Sequence, residues 1–233
     1  MGRRFTQQFS LCGALFLSSA AVLAVDDAGE LPTPAEPPIL LDQHETTYPL
    51  PVLIEQISGY QVIPWNGQLQ DLLRDAAESV RAAAQAQPVT SGRINEVGLR
   101  VEQLLRTALE AEGFNVDTPR TQSGRRQSAG YPDLVARKDG QTFYVEVKCF
   151  SEGTTNSTQR TFYLSPSDDP KIREDAHHLL FGFQVKEVAE GQYSVESYEV
   201  LDLFGLECAM KVEFNASNRD LYNGELTILK SGE

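Results

Sequence analysis

Apolar residues recur at helical spacing in two early stretches of the chain. Leu69, Leu72, Leu73, Ala76, Ala77, Val80, Ala83 and Ala84 predict an amphipathic packing helix over 68–86. After the break at 87–92 (QPVTSG), Ile94, Val97, Val101, Leu104, Leu105, Ala108 and Leu109 predict a second helix from Arg93 to Glu112, closed by Gly113 as a C-cap. From Phe114 the period shortens to two. Residues 114–119 (FNVDTP) form a short apolar strand, and 121–131 (TQSGRRQSAGY) form a polar, basic loop. Residues 132–150 hold two apolar runs separated by Asp139-Gly140, the dipeptide of a tight hairpin. A further strand is expected at 160–165 (RTFYLS). A helix with Pro170 at its first position is expected over 167–180 (SDDPKIREDAHHLL), followed by strands at 179–188 and 193–201. This order describes an α/β domain with a central mixed sheet flanked by helices.

The ends of the chain read differently. Arg3 and Arg4 precede an apolar run from Phe9 to Ala21 and the small-residue pattern Val22-Leu23-Ala24, as in a secretory signal peptide over 1–24. A downstream true start is the competing reading, and it would keep the protein in the cytoplasm rather than secreted or periplasmic. Residues 25–50 are rich in proline and acids and read as an extended linker. Residues 51–90 read as an N-terminal helical extension, 91–200 as the core and 201–233 as a C-terminal extension. No stretch after residue 24 approaches the length of a membrane span.

Charge narrows the function. The formal net charge is −13, and losing Arg3 and Arg4 would leave −15, which excludes a chain that coats nucleic acid with a general basic surface. The charge is uneven, however. Residues 25–90 carry 10 acids and 2 bases, 91–186 carry 13 of each, and 187–233 carry 10 acids and 3 bases. Chemistry on a polyanion therefore belongs in the middle. There is no CxxC and no Cys/His cluster, which argues against zinc. Phosphate-loop, dinucleotide and serine-hydrolase motifs are also missing from the sequence. Cys149 lies in an apolar strand, where a buried free thiol is the commoner state than a bridge to Cys208. His177 and His178 read as surface or satisfied core residues.

The hairpin supplies the candidate chemistry. With Asp139-Gly140 as a two-residue turn, Lys138 faces Gln141, and counting outward puts Asp133 directly opposite Glu146, with Cβ atoms roughly 5 Å apart. Lys148 projects from the same face. Leu134, Ala136, Phe143, Val145, Val147 and Cys149 form the other face, which must meet a core. Opposed carboxylates destabilise a strand pair unless a divalent cation sits between them, and hard cations such as Mg²⁺ take carboxylate oxygens.

Pro132-Asp133, Glu146 and Val147-Lys148 resemble the PD-(D/E)xK signature of restriction endonucleases and Holliday-junction resolvases. Glu102, eleven residues before Gly113-Phe114, is similar to the helix glutamate of the archaeal-type resolvases; Glu96 points away from that face. The resemblance covers about 91–185. The Gly130-Tyr131-Pro132-Asp133 run and residues 162–166 look more like the restriction-enzyme members. It implies a restriction-endonuclease-like core and a metal-dependent endodeoxyribonuclease. Asp133 and Glu146 would hold Mg²⁺, with Mn²⁺ as an alternative, and the Val147 carbonyl would add a ligand. Lys148 would position the attacking water, and Glu102 would complete the site directly or through water. Arg120, Arg125, Arg126 and Arg160, with Arg137, Lys138, Lys171 and Arg173 nearby in sequence, would meet the phosphates of a DNA substrate. Two-strand cutting would favour a homodimer. The competing reading is a non-catalytic module that binds nucleic acid or protein on the same fold.

Overall fold

The computed structural model describes residues 46–92, 94–154 and 162–210, together with Ser217 and Arg219. The signal sequence read at 1–24, most of the linker read at 25–50, Arg160 and all of the C-terminal extension after residue 210 except Ser217 and Arg219 lie outside the described residues.

Six strands form one mixed sheet in the order β2-β7-β6-β5-β4-β3: β2 Val89–Thr90, β3 Asn115–Asp117, β4 Leu134–Lys138, β5 Gln141–Phe150, β6 His177–Ala189 and β7 Gln192–Asp202. All neighbours are antiparallel except β5 and β6, which run parallel. A separate two-stranded ribbon pairs β1 Thr47–Pro49 with β8 Glu207–Ala209. Three helices accompany them: α1 Leu50–Ser58, α2 Gln70–Ala86 and α3 Ile94–Ala111. Gly113 follows α3 at φ +82°, the left-handed conformation of a helix C-cap, and a Cβ there would meet the Lys138 ammonium at 2.8 Å.

The sheet separates two cores. On one face α2 and α3 pack their apolar stripes (Leu73, Ala77, Val80; Val97, Val101, Leu105, Leu109) onto Leu134, Ala136, Phe143, Val145, Val147, Leu179, Phe181 and Phe183. This is the apolar hairpin face expected from alternation. Helix α2 is thus part of the main core and not an appendage to it. On the other face Leu50, Ile54 and Val62 join Tyr131, Val135, Tyr144, Ile172, Ala176 and Leu203 in a smaller cluster. Cys149 borders the first cluster and Cys208 the second, and both are free thiols. Burial pushes the Cys149 thiol up to about 12.

Three expectations are corrected. The expected linker does not run to residue 50: Thr47–Pro49 is a strand, and Leu50 opens α1 fully buried. No strand forms over 162–165. No helix forms over 167–180, where irregular chain leads into β6 at His177. The reason is that tertiary partners claim this segment's backbone groups. Gln122 N–H donates to Pro170 O, Arg173 N–H to Tyr144 Oη, Ala176 N–H to Gln61 O, and Ala176 O accepts from Ile63 N–H. With its amides and carbonyls met in this way, the segment gains nothing from a helical ladder.

The histidines expected in a helix instead start β6 in the core, His177 with both ring nitrogens met and His178 with its Nε2 buried and without a hydrogen-bond partner among the described residues. His177 contacts Ile63 O at 3.0 Å and Gln141 Oε1 at 2.7 Å. His178 is fully buried, with Nδ1 2.6 Å from Tyr131 Oη. Burial, with the neighbouring His177 adding to it, lowers the His178 pKa from 6.5 to about 3. The folded state therefore binds fewer protons than the unfolded chain between those values, and stability contributed by neutral His178 is lost as pH falls from 6.5 towards 3. Urea unfolding should show His178→Phe less stable than the parent at pH 8, by about 1–3 kcal/mol for the orphaned Tyr131 hydroxyl. The same variant should lose less stability than the parent between pH 6.5 and 4; parallel declines would contradict the assignment.

Candidate active site

The hairpin turn fixes the geometry. Asp139 and Gly140 adopt φ +49° and +76°, the positive values at both central positions that a type I′ turn requires. Pairing runs Lys138↔Gln141, Arg137↔Thr142, Ala136↔Phe143, Val135↔Tyr144 and Leu134↔Val145. The ladder ends there, and Asp133 next to it lies close enough to Glu146 for its charge to raise the Glu146 pKa. Asp133 lies just before β4: its amide donates to Val145 O at 3.0 Å, and its Oδ2 accepts from Val147 N–H at 2.8 Å. The second bond fixes the carboxylate against β5 and leaves Oδ1 available.

Glu146 is only 4% exposed. Its Oε1 pairs with Lys148 Nζ at 2.7 Å, while its Oε2 is buried with no hydrogen-bond partner among the described residues. Burial first, and Asp133 second, raise the Glu146 pKa; Lys148 and Lys171 oppose them. Lys148 keeps 29% of its side chain open to solvent, so it stands at the mouth of the site. Glu102 projects from α3, and burial followed by the charge of Asp133 raises its pKa as well. Among the described residues no three His, Cys, Asp or Glu side chains are grouped as a metal cage. Glu102 lies within electrostatic range of Asp133. Glu96 does not enter the site; its Oε2 accepts from Ser91 Oγ at 3.1 Å at the start of α3.

Not all the expected bases gather here. Arg137 is paired with Glu174 at 2.5 Å, and Lys138 lies over the Phe114 ring, both at the turn end of the hairpin, far along the strands from Asp133. Arg120, Arg125 and Arg126 lie in the loop between β3 and β4, closed by an Arg120↔Arg126 bridge. Ser123 pins this loop to Asp169 through N–H and Oγ at 2.8 and 2.7 Å. Arg125 and Arg126 are about two-thirds exposed, and their ion pairs to Asp169 and Asp117 are long, at 3.9 and 3.8 Å. Exposed pairs of that length hold the side chains weakly.

The residue that sequence reasoning undervalued is Lys171. It is 4% exposed, and its ammonium donates to the carbonyls of Gly130 and Pro132 directly before Asp133. The sequence reading grouped it with the bases that would meet DNA phosphates, whereas its ammonium is turned inward to backbone carbonyls. The signal that could have found it is the basic residue in an apolar frame, Lys171-Ile172 after Pro170.

An aspartate at the entry to one strand and a glutamate on its neighbour, with a lysine two residues after the glutamate, are the pattern of a PD-(D/E)xK nuclease centre. The chain belongs to the type II restriction enzyme MjaV family, whose model matches residues 41–225. It is 35% identical over 197 residues to the type II restriction enzyme MjaV of Methanocaldococcus jannaschii, covering 75% of this chain and 85% of that protein. Among solved structures it resembles the tetrameric restriction endonuclease SfiI bound to cognate DNA, at 17% identity and a TM-score of 0.37, over 58% of this chain and 62% of that one.

The Asp133–Val147 bond separates charge from structure. Asn at 133 keeps an acceptor for the Val147 amide while removing the charge beside Glu146. In EDTA, Asp133→Ala should therefore be less stable than Asp133→Asn by about 1 kcal/mol. Equal melting of the two variants would show that the Oδ2 contact does not hold the strand end.

Proposed function

We propose that this chain is a divalent-metal-dependent endonuclease that hydrolyses phosphodiester bonds in DNA, with Mg²⁺ as its ion and Mn²⁺ as an alternative. The observation that carries the reading is Asp133, at the entry to β4, close enough to Glu146 for its charge to raise that pKa, with Lys148 paired to Oε1 of Glu146. Membership of a restriction-enzyme family supports DNA as the substrate. The residues fit a hard cation. Glu146 Oε2 is a buried carboxylate oxygen without a donor, and Asp133 Oδ2 is already held by a backbone amide, which orients the group. Asp133, Glu146 and the Val147 carbonyl would hold the ion, with water and substrate phosphate filling its remaining positions. When bound, such an ion supplies Lewis-acid polarisation of a phosphoryl oxygen and a water of lowered pKa.

The chain's own groups do the rest. Lys148 Nζ stands at the open edge of the centre, where it can orient a water and meet charge developing on phosphate oxygens. Glu102 adds negative potential from α3, which favours a cation at Asp133. The pinned β3–β4 loop presents Arg120, Arg125 and Arg126 to phosphates, positioning DNA without reading its sequence. We propose that the protein acts outside the cytoplasm, which rests on the Arg3-Arg4 start and apolar run of residues 1–24. Mass spectrometry should find chains beginning near Val25 in the periplasm; full-length chains confined to the cytosol would overturn that location.

Supercoiled plasmid should be cut with Mg²⁺ and left intact with EDTA. Lys148→Ala should abolish cleavage while keeping the rise in melting temperature that Mg²⁺ produces in the parent, because lysine is not a ligand. Asp133→Asn should lose both. If Asp133→Asn cuts like the parent, the site assignment is wrong.

The loop can be tested apart from the chemistry. Replacing Arg125 and Arg126 together by alanine should weaken binding equally to unrelated duplexes. It should also lower the slope of log K against log salt by about two, one for each lost phosphate contact. An unchanged slope in fluorescence anisotropy would place the DNA elsewhere.

A further inference from the structure

Two guanidiniums meet on one hydroxyl beside the centre. Arg106 leaves α3 one turn after Glu102 and donates through Nη1 to Val116 O and through Nη2 to Thr118 Oγ1, both at 3.2 Å. Arg126 comes from the β3–β4 loop and donates through Nη2 to the same Thr118 Oγ1 at 3.1 Å. The two nitrogens therefore lie within two hydrogen-bond lengths of each other. Strand β3 fixes the spot: Asp117, the residue before Thr118, pairs with Val135, two residues after Asp133. Arg106 is half-buried, whereas Arg126 keeps 61% of its side chain open to solvent. One guanidinium is thus anchored and the other reaches it from solvent, at the strand end that carries Asp133.

We propose, on the basis of the endonuclease reading, that Arg106 and Arg126 together seat one backbone phosphate of the DNA next to the one being cut. Thr118 is the positioning residue that sets the spacing of the two guanidiniums.

Bracing α3 against β3 needs only one donor, and Arg106 Nη1 on Val116 O supplies it. A brace does not account for a second arginine brought from an exposed loop to the same side chain, because like charges at that separation repel. Carboxylates do not account for the meeting either. Glu102, one turn back on α3, acts on Arg106 without an ion pair among the described residues. Arg126 has Asp117 at 3.8 Å, and the oxygen in that pair, Oδ1, already accepts from Thr118 N–H at 2.7 Å. The acid is thereby turned to the backbone, and the two cations are joined through a neutral oxygen. A hydroxyl oxygen accepts two hydrogen bonds, so Thr118 is filled by the pair and holds both groups at a set separation. Each guanidinium carries more N–H donors than these bonds use, and both keep some for a shared anion. A phosphodiester offers one unesterified oxygen to each fork, and its negative charge relieves their repulsion. Such a contact fixes the register of DNA on the centre without reading its sequence.

Fluorescence anisotropy of the full-length protein on a DNA duplex in EDTA, across a salt series, tests the seat. Arg106→Gln removes the charge and keeps an amide donor for Val116 O. It should weaken binding about tenfold and lower the slope of log K against log salt by about one. Arg106→Lys should recover the slope but not the full affinity, because an ammonium lacks the planar fork. Thr118→Val keeps both charges and loses the shared oxygen, so it should weaken binding with the slope unchanged. If Arg106→Gln melts lower than the parent yet keeps the parent's slope, Arg106 is only a brace between α3 and β3 and the proposal is refuted. An Arg106→Lys protein with the low slope of Arg106→Gln, or a Thr118→Val protein that binds as tightly as the parent, would overturn it too. Should Arg106→Gln fail to fold, Thr118→Val decides alone. A parent that cuts plasmid with Mg²⁺ while Arg106→Gln keeps its slope leaves the endonuclease reading standing and removes the seat. A parent that binds duplex in the expected way but never cuts it sinks that reading instead, and one that binds no duplex refutes both.

Discussion

Side chains alternate along a strand, and a two-residue turn locks that alternation between the two strands it joins. In this protein the lock is Asp139-Gly140, and the centre depends on it. Asp133 and Glu146 share a face because both lie an even number of steps from partners that the turn has fixed, Val135 and Tyr144. A slip of one residue would bring Leu134 or Val145 to the carboxylate face and send an acid into the helix-covered core. The apolar residues of the opposite face therefore guard the centre. Phe143, Val145 and Val147 can be buried under α2 and α3 only in the register that opposes the two acids.

Chemistry and packing share the second face. Its turn-proximal half, Val135 and Tyr144, belongs to a core with Ile54, Val62 and Ile172, while its far half carries the acids and Lys148. The boundary runs through Glu146, which is buried like a core residue and charged like a site residue. That position accounts for its raised pKa and for its oxygen without a donor. Lys171 arrives from the same small core, on the residue before Ile172, so the packing that stabilises this face also supplies one of its charges.

The parts that local pattern controls were readable from the sequence. Both long helices, the hairpin turn, the pairing of β4 with β5 and the strands β6 and β7 follow from the spacing of apolar residues and from one dipeptide. So does the position of Glu146 and Lys148 on β5. What escaped depends on partners distant in sequence. The chain over 167–176 carries a helix-start proline and charges at helical spacing, yet Gln61, Gln122 and Tyr144 claim its backbone groups. Lys171 was misjudged for the same reason, since its value comes from carbonyls some forty residues away. The strands β1, β2 and β8, of two or three residues each, are too short to show a period at all.

The ribbon of β1 and β8 ties together the two ends of the described body. Thr47 pairs with Ala209, and Met210 N–H donates to Thr46 O at 3.1 Å. β1 precedes every strand of the sheet in the chain and must wait for β8, which follows them all. Leu50, whose amide donates to Leu206 O, and α1 behind it wait with it. The smaller core, which lines the carboxylate face, can therefore be sealed only after the sheet and β8 have formed. Until β8 pairs with β1, Asp133, Glu146 and Lys148 lack the cover that shapes them, so the centre matures last, as the two ends of the described body meet.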